Sequence, residues 1–465
     1  MDTNPSRLFF AVLLLALLTA CASGPADSGA ATLLVLHTND LHSNLLPHPD
    51  GEGGLARIAG YVANERARRA DVLFLDAGDG VTGTPVSSIF GGRPIFHVMS
   101  VMGYDAMALG NHEFDHDWSR IEEYRRIAGF PILCANARGP DGSLLADAAY
   151  RIFTVKGLDV AVIGILTPTT PQHTARGLTE GCEFLPAQST IEALLPELEP
   201  QADLIVVLSH LGIEHDRLLA AAVPEIDLIV GGHSHTELTA PEIIGKTVVV
   251  QALAEGRRIG RLELRIDRDR GEIIAVNGSL ITVDDRLPAD RAVVGAVAVW
   301  EDQVSEQVSE VLGRAARDIG LVELRAHAAR VFREVLGTDL GFQNEGAIRA
   351  VITAGPIRVR DVWNVHPFDN TLVTLRIRGD ALPAWAIEEL GSVTPDRIYT
   401  VATNSYVPGH LERYFPDGIL GTVDSGRPMR DTVIDADGVR SDICPDSDIL
   451  GVPLRPLSYF APGAD

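Results

Sequence analysis

Within six residues, Gly110-Asn111-His112-Glu113-Phe114-Asp115 presents an amide, an imidazole and two carboxylates directly after the apolar run Ala106-Met107-Ala108-Leu109. An apolar strand that stops abruptly in polar groups places them at the carboxyl edge of a sheet, where open α/β folds bind ligands. Four more runs end in the same way. Leu33-Leu34-Val35-Leu36 leads into His37-Thr38-Asn39-Asp40-Leu41-His42, and Val72-Leu73-Phe74-Leu75 into Asp76-Ala77-Gly78-Asp79. Leu204-Ile205-Val206-Val207-Leu208 ends at Ser209-His210, and Ile226-Asp227-Leu228-Ile229-Val230 at Gly231-Gly232-His233-Ser234-His235. Divalent metals that activate water are held by imidazole and carboxylate, and a carboxylate often bridges two ions roughly 3.5–4 Å apart. Five such endings together imply a metal site. Asp40 and His42, one residue apart, can reach the same ion, and Asp79, followed by Gly80, has the character of a bridging carboxylate. Asn111, His210, His233 and His235 supply neutral ligands. This mixture suits Zn²⁺, Mn²⁺, Co²⁺ or Fe²⁺ and does not choose among them. His97, His116, His173 and His215 lack such context and are read as surface or structural residues.

The elements that must position these side chains are legible as alternating strand-like and helical patterns from Thr32 onward, the signature of an α/β domain. Leu55, Ile58, Ala59 and Val62 fall at i, i+3, i+4 and i+7, one face of a helix beginning after Gly53-Gly54. Further strands are expected at 160–165, 248–251 and 261–266, and Pro131-Ile132-Leu133-Cys134-Ala135 reads as a buried strand with an inert Cys134. Between residues 288 and 317 the pattern becomes one long helical segment, with Pro288 at or just before its start. We take it as a linker helix between a catalytic domain at 32–287 and a second α/β region at 318–465, with strands at 373–377 and 398–401. No repeat at solenoid or propeller periods is present.

With 465 residues and 46% apolar content the chain has material for two cores. Its formal net charge of −24 argues against a nucleic-acid polymer or an anionic bilayer as an electrostatic partner, so an anionic substrate needs locally placed cations. At the amino terminus, Arg7 precedes an apolar run over 8–20, too short to span a bilayer, and Leu18-Thr19-Ala20-Cys21 resembles the lipobox of bacterial lipoproteins. The resemblance implies a signal peptide at 1–20, lipidation of Cys21, a tether over 21–31, and an exported protein anchored facing the periplasm or cell surface. An ordinary cleaved signal peptide is the alternative. Cys182 and Cys444 are left for a possible disulfide that sequence does not test.

The ordered set Asn39-Asp40-Leu41-His42, Gly78-Asp79, Gly110-Asn111-His112-Glu113, Ser209-His210 and Gly232-His233-Ser234-His235 resembles the calcineurin-like metallophosphoesterases. More narrowly, it resembles the 5'-nucleotidase and UDP-sugar hydrolase family. The resemblance implies a four-layer αββα metallophosphoesterase domain followed by a smaller α/β domain of the 5'-nucleotidase C-terminal type. It also implies two divalent ions, the first on Asp40, His42, Asp79 and His235, the second on Asp79, Asn111, His210 and His233. His112 then contacts phosphate instead of metal and Asp115 orients it. Physically, a carboxylate bonded to one ring nitrogen fixes the tautomer and keeps the imidazole cationic. A helix N-cap is the other reading of Asp115. Glu113 is read as structural.

In the second domain, Gln343-Asn344-Glu345-Gly346-Ala347-Ile348-Arg349 resembles the family's Asn-Gly-Gly-Gly-Ile-Arg element, which assigns Asn344 and Arg349 to substrate. Pro367-Phe368-Asp369-Asn370 resembles Pro-Phe-Gly-Asn, which brings in Phe368 and Asn370, and Tyr406 stands where a second stacking aromatic belongs. Core packing is the alternative for the two rings. The chain departs from the pattern at Glu345, Ala347 and Asp369, which replace glycines. The Gly-Gly-Asp-Gly turn after the second aromatic is missing, which makes Glu412 the candidate ribose contact. An Asn-Leu-Gly-Asn element is missing near 321–333, as are some forty residues between Leu390 and Val393, so the domain is shortened. The implied activity is hydrolysis of 5'-nucleotides or related phosphate esters by in-line attack of a metal-bridging hydroxide. Two alternatives are a relative acting on another anionic ester (nucleotide sugar, cyclic nucleotide, or thiosulfohydrolase-like) and a non-catalytic nucleotide-binding surface lipoprotein.

Overall fold

Strand runs that are apolar at every position must be covered on both faces, and the computed structural model, which describes residues 29–415 and 418–436, shows how. In the strand Ala30–Thr38, Leu33 and Val35 point into a core between two sheets, while Leu34 and Leu36 point outward beneath helices. The first sheet has the order Glu272–Thr282, Arg258–Asp267, Ala30–Thr38, Val72–Asp76, Ala106–Ala108, Ile132–Leu133. The second runs Glu242–Ile244, Thr247–Val250, Leu228–Gly231, Leu204–His210, Leu158–Leu166, Tyr150–Val155. Each has a parallel centre; the first is antiparallel at one edge and the second at both. Helix Leu55–Arg68 buries Leu55, Ile58, Ala59 and Val62 on the outside of the first sheet, and helices Ala187–Leu198 and Ile213–Ala222 cover the second. The result is the αββα sandwich.

Register levels the strand ends. Thr38 lies opposite Asp76, Asp76 opposite Met107, and Gly231 opposite Ser209. All five polar endings therefore open on one rim.

The helix expected over 288–317 is shorter than the sequence pattern suggests. It spans Arg291–Val308, capped by Asp290, whose Oδ1 accepts from the amides of Ala292 at 2.8 Å and Val293 at 3.1 Å. Val311–Ala315 is instead a strand paired with Gly355–Arg358, because a partner distant in sequence satisfies its backbone and Gly313 disfavours helix. The helix also packs on the first core through Val293, Ala296, Val297, Val304 and Val308. Likewise the tether expected to reach residue 31 ends earlier, since Ala30 and Ala31 already pair with Asp267 and Ile266. Cys21, the signal segment and Cys444 lie outside the described residues.

The second α/β region has a four-stranded sheet, Leu340–Gly341, Ile398–Asn404, Thr371–Arg378, Ile419–Pro428, and helix Leu321–Leu336, which occupies the stretch where the Asn-Leu-Gly-Asn element is missing. That helix buries Leu324, Ala328, Val331 and Phe332 against Ile348 and Trp363. The region docks on the sandwich. Ile89 packs into its core, Ser88 Oγ donates to the Pro367 carbonyl at 3.1 Å, and Arg360 pairs with the buried Glu301 at 2.7 Å.

Candidate active site

Sharp exits from parallel strands force unusual backbone. Asp40, His42, Asp79, His233 and His235 all have positive φ, between 47° and 71°. Each such conformation costs about 1–2 kcal/mol in a residue with a Cβ, and such strain concentrates where side chains must be aimed. Gly110 has no alternative, since a Cβ there would lie 2.1 Å from Asp79 Oδ1.

The rim side chains converge in three groups, Asp40-His42-His235, Asp79-His210-His233 and His42-Asp79-His112, each with donor atoms within 4.8 Å of one another. Asp79 Oδ2 is 2.9 Å from His210 Nε2, and its Oδ1 accepts the His112 amide at 2.8 Å. Asp40 accepts the His233 amide at 3.0 Å, and its Oδ1 lies 3.4 Å from His235 Nε2. The imidazoles are aimed from behind. His210 Nδ1 donates to the Ala77 carbonyl at 2.7 Å and His42 Nδ1 faces the Val81 carbonyl at 3.3 Å, which turns both Nε2 atoms toward the centre.

This arrangement fits a cation. Asn111 Oδ1 is buried without a hydrogen-bond partner, and His42 Nε2 and His235 Nε2 face each other across 3.1 Å. Burial opposes charge on every group here. For Asp40 the imidazoles of His235 and His210 overcome it and hold the carboxyl at about 2. For His210, Asp79 overcomes it and raises the ring to about 10, while burial and the neighbouring His210 take His233 down to about 3. A carboxylate-rich, water-poor pocket of this kind takes up positive charge, as protons or as metal.

His112 behaves as a separate unit. Its Nδ1 is 2.6 Å from Asp115 Oδ2, and burial, which lowers an imidazole, is outweighed by Asp115 and Asp79, so the ring is raised above its ordinary value. Asp115 is not a helix N-cap; it follows the short turn His112–Phe114, and the next helix, Arg120–Ile127, begins after Ser119. Glu113 is fully buried and accepts the amides of Gly110 at 2.6 Å, Gly80 at 2.8 Å, Asp79 at 3.1 Å and Val81 at 3.3 Å. It therefore splints the loops that carry Asp79 and Asn111.

A cleft of about 590 Å³ runs from this rim between the two halves of the chain. Asn344, Arg349, Phe368, Asn370 and Tyr406 all line it. Arg349 Nη2 reaches within 3.3 Å of His42 Nε2, and the Phe368 ring stacks toward His112 with centroids 6.0 Å apart. Tyr406 lies against His410, 4.0 Å between centroids, and its hydroxyl donates to the Gln172 carbonyl at 2.6 Å. Asn344 and Asn370 are partly committed within the fold, through Asn404 Nδ2 at 2.7 Å and Ser405 Oγ at 3.0 Å.

Four titratable cleft residues escaped sequence reasoning. His116 and His173, expected at the surface or in the scaffold, both line the cleft, and His173 sits edge-on to His233 at 4.9 Å. His97 and His215 match expectation, one bonded to Trp300 Nε1 at 3.0 Å and the other exposed. Arg413 and Tyr414 face the cleft while Glu412 does not. Successive residues of the single turn Leu411–Tyr414 point about 100° apart, so nothing in the local sequence selects which one faces inward.

Residues 33–237 match the model of the calcineurin-like phosphoesterases and residues 303–389 that of the 5'-nucleotidase C-terminal domain. The sandwich and its rim thus define a calcineurin-like metallophosphoesterase. A human 5'-nucleotidase is 34% identical over 432 residues, 80% of this chain and 74% of that protein. A 5'-nucleotidase of Vibrio cholerae is 29% identical over 434 residues, 79% and 78% of the two chains. Among solved structures, a 5'-nucleotidase precursor from Thermus thermophilus superposes with a TM-score of 0.78 at 27% identity, covering 87% of this chain and 96% of that one. The chain belongs to the 5'-nucleotidase family of metallophosphoesterases, a family of phosphoric ester hydrolases. A sulfate thiohydrolase of Thermus thermophilus, 18% identical with a TM-score of 0.72, shares the fold. No helix among the described residues is long and apolar enough to cross a membrane.

Proposed function

We propose that the chain is an exported hydrolase of 5'-nucleotides or closely related phosphate esters, working with two divalent ions. Asp40, His42, Asp79 and His235 would hold one ion, and Asp79, Asn111, His210 and His233 the other. Bound there, such ions supply Lewis acidity toward a phosphoryl oxygen and an activated water for in-line attack. The observation that carries this reading is the convergence of the five strand endings around Asp79, with Asn111 Oδ1 buried and without a hydrogen-bond partner. His112, whose hold on its proton Asp115 strengthens, donates to phosphoryl oxygen as charge develops, and Arg349 holds the anion from the opposite wall. Phe368 and Tyr406 offer apolar faces to the base. Release of phosphate from a nucleotide panel in Mn²⁺, Co²⁺ or Zn²⁺ tests the assignment. Asp79→Asn should lose bound metal by elemental analysis and reduce turnover by more than about a thousandfold, and an Asp79→Asn protein as active as wild type ends the proposal.

Export and anchoring rest on Arg7, the apolar run at 8–20 and Leu18-Thr19-Ala20-Cys21. Cys21→Ser should move the protein from the membrane to the soluble fraction of a producing bacterium, and wild type found soluble would leave only a cleaved signal peptide.

A further inference from the structure

Phe368 sits on a turn, residues 366–370, between helix Val359–Val365 and strand Thr371–Arg378. One side chain from more than sixty residues downstream organises that turn. Arg430, on helix Met429–Asp435, donates from Nε to the His366 carbonyl at 2.8 Å, and from Nη2 to the Pro367 carbonyl at 3.1 Å and to Asp369 Oδ1 at 2.8 Å. Its guanidinium lies 3.7 Å from the centroid of the Trp363 ring, and the preceding residue donates its amide to the Asn370 carbonyl at 2.8 Å. Arg430 is only 6% exposed. A guanidinium taken from water costs several kcal/mol unless its donors and its charge are both answered. Here Nε and Nη2 find acceptors and Asp369 answers the charge, and among the described residues these side-chain hydrogen bonds all go to this one turn. Asp369, the acid that stands where the related pattern has glycine, lines the cleft, and its charge is matched by Arg430 beside the path of an anionic substrate.

We propose that Arg430 is a positioning residue for substrate recognition. It fixes the 366–370 turn so that Phe368 presents its ring to the cleft, and it acts on nucleotide affinity through Phe368, not on phosphoryl transfer. The inference rests on the nucleotide reading above. A buried arginine serving stability alone would lower all activities together with the folded fraction, whereas one acting through Phe368 splits them.

The test uses the full chain with Mn²⁺ and compares a 5'-nucleotide with p-nitrophenyl phosphate, which has no nucleobase. Arg430→Met should raise KM for the nucleotide roughly tenfold, the scale of one lost base stack, with kcat for the nucleotide and all constants for the aryl ester within about twofold. Phe368→Ala should raise the nucleotide KM by at least as much, and Arg430→Met combined with Phe368→Ala should bind nucleotide no worse than Phe368→Ala alone. Equal losses on both substrates, an unchanged nucleotide KM, or additive effects in the double variant each overturn the inference. If Arg430→Met does not fold, Arg430→Lys carries the test, because lysine keeps a cation over Trp363 but loses the planar set of donors. It should raise nucleotide KM about threefold, and no rise overturns the inference. Wild type that cleaves aryl phosphate but no nucleotide removes the functional reading itself; wild-type nucleotide hydrolysis with Arg430→Met unchanged removes this inference alone.

Discussion

The rim of the sandwich and the wall contributed by the second region face the same cleft but are built differently. On the rim, functional side chains leave the ends of registered parallel strands, their donor atoms are buried, and positive-φ backbone aims them. On the wall, Asn344, Arg349, Phe368, Asn370, Tyr406 and Tyr414 come from turns and one-turn helices, steadied by side chains such as Arg430 and Asn404. Chemistry that needs placement within a fraction of an ångström sits on the sheet edge, and recognition that tolerates adjustment sits on loops. Substitutions on the rim should therefore cost turnover on every ester, and those on the wall affinity for some.

The largest split belongs to His112. His112→Ala should lower kcat for nucleotide and aryl ester alike by about a hundred- to a thousandfold, the cost of removing one donor to developing charge, while metal content measured by elemental analysis stays at the wild-type level. Loss of metal would make His112 a ligand and erase its distinction from Asn111. Smaller and on the wall, Tyr406→Ala removes both an aromatic face and the bond to the Gln172 carbonyl. Nucleotide KM should rise roughly tenfold with aryl phosphate hydrolysis unchanged. A matching loss on both substrates would mean that the tyrosine serves only to hold the two halves together.

The smallest effect is absent at neutral pH. Away from the rim, each region holds a deeply buried histidine, His37 in the sandwich and His366 behind the wall, both taken by burial to about 3, with Arg430 adding to the depression at His366. Unfolded, each ring binds a proton below about pH 6.5. Between pH 6.5 and 3 the unfolded chain is therefore the one taking up protons, and stability falls as pH drops through that window and is full above it. His37→Gln and His366→Gln should each flatten the acid limb of stability, measured by urea unfolding, by up to about 1.4 kcal/mol per pH unit. Two unfolding transitions, each shifted by only one substitution, would show that the regions unfold independently; a single one moved by both would show that they unfold together.

What the sequence determined unaided is whatever is written locally. Apolar runs ending in Asp, Asn and His announce a sheet edge, and the ligand order along the chain follows from strands that each contribute their own ending. His112 and Asp115 are three residues apart, so their 2.6 Å contact forms within a single turn and could be read directly. Runs apolar along their whole length call for cover on both faces, and the resemblance of the ordered motifs implies the αββα layers that supply it. Only tertiary structure decided the rest. Gly313 apart, nothing local ends the helix at Val308; the strand partner at 355–358 does. Nothing local turns His173 toward His233, selects Arg413 and Tyr414 over Glu412, or ties Arg430 to a turn more than sixty residues earlier. Those facts depend on contacts between distant segments, whose energies exist only once the chain has brought them together, and a pattern of neighbours along the sequence carries no trace of them.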